Sequence, residues 1–144
     1  MKTRVIITEV NHEDIVNLFQ FVYAPSWIGV FYDTALLEQH GNKTQCFEDN
    51  IANTLLNGDT IQIGDYNAEE SDEFYGMLPH EHNEAAMWYT VGMEDIIKGL
   101  NKAYRGTDYQ RNAVRNLNYS PEDLDEYQCT ELLQIIMFGE VVYG

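Results

Sequence analysis

Two histidines, His80 and His82, flank Glu81 and are followed by Glu84, and this is the part of the chain closest to a metal-ligand pattern. In an extended segment residues i and i+2 project to one side, so both imidazoles would face the same ion. Two ligands do not complete a site, and a third must come from His12, His40 or an acid elsewhere. Upstream, Glu69, Glu70, Asp72 and Glu73 concentrate carboxylates without the alternating ligand order and glycine of a calcium-binding EF-hand loop. Phe74 and Tyr75 follow directly, and an apolar anchor ringed by acids suits a protein partner. Cys46 and Cys129 are not in C-x-x-C spacing and have no neighbours that would activate a thiolate. Each falls on an apolar helical stripe, which predicts two small buried thiols. No glycine-rich dinucleotide or phosphate loop, nucleophile elbow or H-E-x-x-H is present, so nothing in the sequence marks an enzyme. Two carboxylates brought together from distant segments are the remaining route to catalysis.

Charge is the strongest signal. The 144 residues carry 24 acids and 8 Lys or Arg, a formal net charge of −16. Such a field repels DNA, RNA and anionic lipid and attracts a basic protein partner. Between Lys43 and Lys98 there is no Lys or Arg, and half of all the acids lie in that interval. The stretch from Ser120 onward is also free of bases and holds Glu122, Asp123, Asp125, Glu126, Glu131 and Glu140. Conversely, Lys98, Lys102, Arg105, Arg111 and Arg115 gather five of the eight bases into one segment, read either as an internal counterweight to the acids or as a small anion-binding face.

The elements that must position these residues follow from periodicity. Thr3 to Val10 reads as an opening strand. Asn11 caps a helix whose stripe is Ile15, Leu18, Phe19, Val22 and Tyr23, with Pro25 ending it. Ser26 to Tyr32 is too short and too apolar to decide between helix and strand. Thr44 caps a helix lined by Phe47, Ile51, Thr54 and Leu55, and Gly58 takes the left-handed position after it. Thr60 to Gly64 and Ala86 to Thr90 alternate as half-buried strands and are expected to pair as a hairpin across the acidic connection. Thr90 then caps a helix along Met93, Ile96, Ile97, Leu100 and Tyr104, and a further helix spans Tyr109 to Leu117. Ser120-Pro121-Glu122-Asp123 carries the strongest helix-start signal, with a restart at Asp125 as the alternative. Cys129, Leu132, Leu133, Ile136 and Met137 form the last stripe, ending at Gly139, and Glu140 to Tyr143 reads as a final strand. The sum is a single α+β domain over 1–144, a small antiparallel sheet of three or four strands against three to five helices. Most of the large aromatics, Trp27, Phe31, Tyr32, Trp88 and Tyr89 among them, are expected in its core.

The run Trp88 to Leu100 and the ending Leu132 to Gly144 resemble small uncharacterised proteins of bacteriophages and prophages. That resemblance covers the C-terminal half, implies a mobile-element origin and brings no functional residues with it. With no apolar run of membrane-spanning length and no signal-peptide pattern, a cytoplasmic location is expected. The expected function is a non-enzymatic acidic interaction module without cofactors, extended to an inhibitor that mimics nucleic-acid charge. Its partner is a basic, nucleic-acid-handling protein. The alternative is a small metal-binding protein or metal-dependent enzyme using His80 and His82. A regulator touching nucleic acid through Lys98 to Arg115 is the third reading.

Overall fold

A computed structural model describes residues 7, 9–23, 27–66 and 87–143. The first element among the described residues is α1 (His12–Phe19), held at its start by a reciprocal pair in which Asn11 Oδ1 accepts the Asp14 N–H and Asp14 accepts the Asn11 N–H. Ile15, Leu18 and Phe19 are fully buried, as their spacing requires. The helix stops at Phe19, well short of Pro25. Val22 is still buried from the turn that follows, while Tyr23 is exposed and lies 5.0 Å from the ring of Phe47.

The undecided segment resolves as strand β1 (Ile28–Phe31). A short helix, α2 (Thr34–His40), comes next and was not anticipated. Its signals are local nonetheless: Asp33 accepts the N–H groups of Ala35 and Leu36, and Gly41 closes it at φ 75°. Helix α3 (Phe47–Leu56) is preceded by Cys46 in the cap position with no side-chain cap bond, so Thr44 is not the cap. Thr44 instead sits in a loop latched by buried Asn50, whose Oδ1 accepts from the Thr44 N–H and whose Nδ2 donates to the Tyr32 hydroxyl. Cys46 is exposed, against the expectation of burial. Gly58 takes the predicted left-handed conformation at φ 89°.

Strands β2 (Ile61–Asp65) and β3 (Met87–Val91) pair antiparallel as expected, and β1 adds to the other edge of β2, giving the order β1-β2-β3. The cross-strand row Val30, Ile63 and Tyr89 faces the helices together with Ile61 and Val91. On the opposite face Trp88 lies over Gly64, where an added Cβ would sit 3.0 Å from its ring. Thr90 belongs to β3 and exchanges hydrogen bonds with Gln62, so it caps nothing. Helix α4 (Met93–Tyr104) begins at Gly92, whose N–H donates to Asp95 Oδ2 at 2.8 Å.

Helix α5 (Asp108–Tyr119) starts with a capping box between Thr107 and Gln110. Ser120 opens only a single 3₁₀ turn, Pro121–Asp123, and α6 (Glu126–Phe138) restarts with Asp125 accepting the Gln128 N–H at 2.8 Å. Gly139 ends α6 at φ 81°, as its position predicts. Helix α4 lies along α6, and Gly99 makes their closest approach possible: a Cβ there would strike the Ile136 side chain and come within 2.8 Å of its Cα. One buried cluster links the sheet to α1, α3, α4, α5 and α6, from Ile15 and Phe19 through Ile51 and Ile63 to Leu100, Leu117 and Leu132. The architecture is the α+β arrangement expected, with three strands and six α-helices among the described residues.

Neither expected terminal strand forms among the described residues. Of the opening one, Ile7, Glu9 and Val10 are described and are not in a strand. The Asn101 carboxamide brackets Ile7 instead, accepting its N–H at 2.6 Å and donating to its carbonyl at 2.8 Å. At the other end Gln134 does the same, its Oε1 accepting the N–H groups of Val142 and Tyr143 at 2.8 and 2.7 Å while its Nε2 donates to the Tyr143 carbonyl. A side chain rather than a neighbouring strand satisfies the backbone, so Glu140 to Tyr143 is tied down without joining the sheet.

Candidate functional site

The acidic surface expected at Glu69, Glu70, Asp72, Glu73, Phe74 and Tyr75, and the histidines His80 and His82, lie outside the described residues. The two outlying histidines each face an aspartate: His12 Nε2 is 3.3 Å from Asp49 and His40 Nε2 is 3.5 Å from Asp59. Among the described residues no group of three or more metal-ligating side chains comes together.

The five bases of the C-terminal half are put to separate uses. Arg111 is wired into the α4–α5 turn, its guanidinium donating to the carbonyls of Tyr104 and Gly106 and to Asp108 Oδ1 at 2.8 Å. Arg115 stacks over the Tyr104 ring, 5.8 Å from its centre, a cation–π geometry. The Lys102 ammonium lies beside Gly139, 3.3 Å from where a Cβ would be, at the end of α6 that favours a cation. Lys98 and Arg105 are exposed. The segment is therefore a set of helix-end and turn contacts more than a ready anion site.

A concavity among the described residues lies elsewhere. A groove of about 450 Å³ runs between the start of α5, the outer face of α6 and the C-terminal tail. Tyr127, Glu131 and Gln134 stand at i, i+4 and i+7 on α6, so they share one face, away from the core stripe of Cys129, Leu132 and Leu133. Tyr109 closes one side, and Trp27, Val141 and Tyr143 close the other. The tail holds its position through the Gln134 bracket and through its ring contacts. Tyr143 meets Trp27 edge-on at 4.8 Å, and Phe138, 6.0 Å from Tyr143, joins that pair to Tyr89 at 5.2 Å. The Tyr143 hydroxyl donates to Asp65 Oδ2 at 2.8 Å, and Asp65 is itself only 3 % exposed.

The electrostatics of the groove have one sign. Of its lining residues Glu126 and Glu131 are ionisable acids and none is Lys or Arg. Burial raises the Glu131 carboxyl above its ordinary range, opposed by a hydrogen bond from Gln110. Burial, followed by the charges of Asp125 and Glu131, likewise raises the Tyr109 phenol. Tyr143 is pushed up to about 12 by burial and by its bond to Asp65. Chemically the groove offers aromatic faces with carboxylate and hydroxyl acceptors, and no nucleophile paired with a base. Cys129 is no candidate nucleophile: burial pushes its thiol up to about 12 and its Sγ faces the Asn17 carbonyl.

Glu126 and Glu131 were visible in the sequence as charge, but Tyr109, Tyr127, Gln134 and Tyr143 were not singled out. The available signal was the second stripe of α6 opposite its apolar one. No helix among the described residues is long and apolar enough to cross a membrane. Comparison with protein-family profiles, with characterised proteins and with solved structures finds no match for this chain.

Proposed function

We propose that this chain is a non-enzymatic acidic protein-interaction module with a basic, nucleic-acid-handling partner, acting in a phage or prophage setting as an inhibitor that mimics nucleic-acid charge in the cytoplasm. The observation that supports this reading is the excess of carboxylates on the exposed surface. Among the described residues the Lys or Arg ion pairs are Lys43 with Glu38 and Arg111 with Asp108. Arg115 and Lys102 are engaged by a ring and a helix end. Glu9, Glu13, Glu94, Glu122, Asp123, Asp125 and Glu140 meanwhile stand exposed. Exposed acids therefore outnumber exposed bases among the described residues, and such a surface attracts cationic partners over a distance set by salt.

The test is capture of untagged protein from bacterial lysate at low and high salt, with bound proteins identified by mass spectrometry. A basic nucleic-acid-handling protein that is retained at low salt, released at high salt and displaced by added DNA is the expected outcome. Recovery of no such partner at either salt would remove the proposal.

A further inference from the structure

We infer that the groove between α5, α6 and the C-terminal tail is a receptor for an arginine side chain presented by a basic segment of the partner. This rests on the acidic-module reading and gives it a specific contact point.

The occupant follows from the lining. Tyr109 and Tyr127 are 44 % and 74 % exposed at the rim, and neither ring has an aromatic contact of its own among the described residues, so their faces are open to a ligand. Behind them Trp27 and Tyr143 form the inner wall, and Glu126 and Glu131 supply carboxylates. Aromatic faces beside carboxylates, with no base in the lining, are complementary to a cation and repel an anion. A guanidinium fits both features at once, because its plane stacks on a ring while its fork of donors pairs with a carboxylate; an ammonium offers only a point charge. The volume of about 450 Å³ exceeds what a lone ion would fill and falls in the usual range of ligand clefts. Exposed acids border both ends of α6, with Glu122, Asp123 and Asp125 before it and Glu140 after it. That favours a segment with several positive charges over a small cation. The molecule also contains its own contrast. A groove of about 340 Å³ on α5 combines Tyr104 and Tyr119 with Arg115 in place of the acids.

Calorimetric titration of the whole protein with an alternating Arg/Gly peptide, and with its Lys/Gly counterpart of equal length, tests this. The Arg peptide should bind more tightly. Tyr127→Ala and Glu131→Gln should each weaken it about fivefold or more, the loss of one stacked and paired cation contact. Two controls separate the groove from general charge. Glu13→Gln removes the same charge from α1, and Tyr119→Ala removes an exposed ring from the Arg115 groove; each should change affinity less than about twofold. Equal binding of the two peptides, or groove variants no weaker than the controls, would overturn the groove assignment while leaving the module intact if lysate capture still yields a salt-sensitive basic partner. No binding of the Arg peptide by the unaltered protein would overturn it as well. Retained circular dichroism and thermal melting of each variant exclude misfolding as the cause.

Discussion

At the scale of single residues, the sharpest constraints are where a side chain has no room or a polar group no substitute. Gly99 is helical, and alanine there would gain about 1 kcal/mol of helix preference. The added methyl would, however, collide with Ile136 on α6, and overpacking of that kind costs about 1–3 kcal/mol. Gly99→Ala is therefore expected to be net destabilising in urea titrations, and a gain would show slack between the two helices. Glu131 makes the opposite case. Its carboxyl is raised above 4.5, mainly by burial, so its contribution to stability is full only below that pH and is lost as pH rises through the folded value. At neutral pH the ionised group is a net cost, and Glu131→Gln should melt no lower than the parent while losing affinity for the arginine peptide. Opposite movement of stability and binding is what a binding residue predicts and a structural one does not. The thiols divide by the same logic. Exposed Cys46 should react with a thiol reagent in the native protein, and buried Cys129 only after unfolding.

At the scale of elements, caps and brackets decide where chain segments begin and end. Asp125 accepts the Gln128 N–H in the first turn of α6, whereas Ser120 makes no side-chain cap bond. Asp125→Ala should cost about 1 kcal/mol and Ser120→Ala only a few tenths. The tail depends on Gln134, which is 1 % exposed and satisfies three backbone groups of Val142 and Tyr143. Replacing it with leucine keeps the volume and removes all three bonds, a loss of about 2–4 kcal/mol if each is worth about 1. The more specific readout is hydrogen exchange, since the amides of Val142 and Tyr143 should lose protection before those of α6 do. Should those amides stay protected in Gln134→Leu, the bracket is not what holds the groove wall in place.

At the scale of the whole molecule, a net charge of −16 acts on every equilibrium the protein takes part in. Raising salt from about 0.01 M to about 0.15 M shortens the screening length from about 30 Å to about 8 Å, so self-repulsion falls and the melting temperature should rise. Binding to a basic partner should weaken over the same interval, and that opposition distinguishes electrostatic attraction from apolar docking. The alkaline limit has a different origin. Tyr143 moves from an ordinary 10.0 to about 12 and Cys129 from 9.0 to about 12, both mainly through burial. Each favours its neutral form in the folded state. Their contribution is therefore complete below pH 9 to 10 and is lost as pH climbs toward about 12. Tyr143→Phe should flatten part of that alkaline slope, at the expense of the hydrogen bond to buried Asp65 at every lower pH.

What the sequence by itself determined is whatever depends on neighbours within a turn or two. The stripes of α1, α4 and α6, the left-handed glycines at 58 and 139, the pairing of β2 with β3 and the α+β class all follow from i to i+4 spacing, strand alternation and glycine's freedom at positive φ. Tertiary structure decided what depends on competition between distant groups. Ile7 and Tyr143 look like strand residues, yet carboxamides from Asn101 and Gln134 reach their backbone and no strand forms there, an outcome no local propensity encodes. Ser120 carries the stronger cap signal, yet Asp125 starts the helix, because the 3₁₀ turn between them buries Leu124 at the edge of the core. The groove belongs to the same class. Its four aromatics come from β1's approach, α5, α6 and the tail, and only packing places Trp27 within 4.8 Å of Tyr143, more than a hundred residues along the chain.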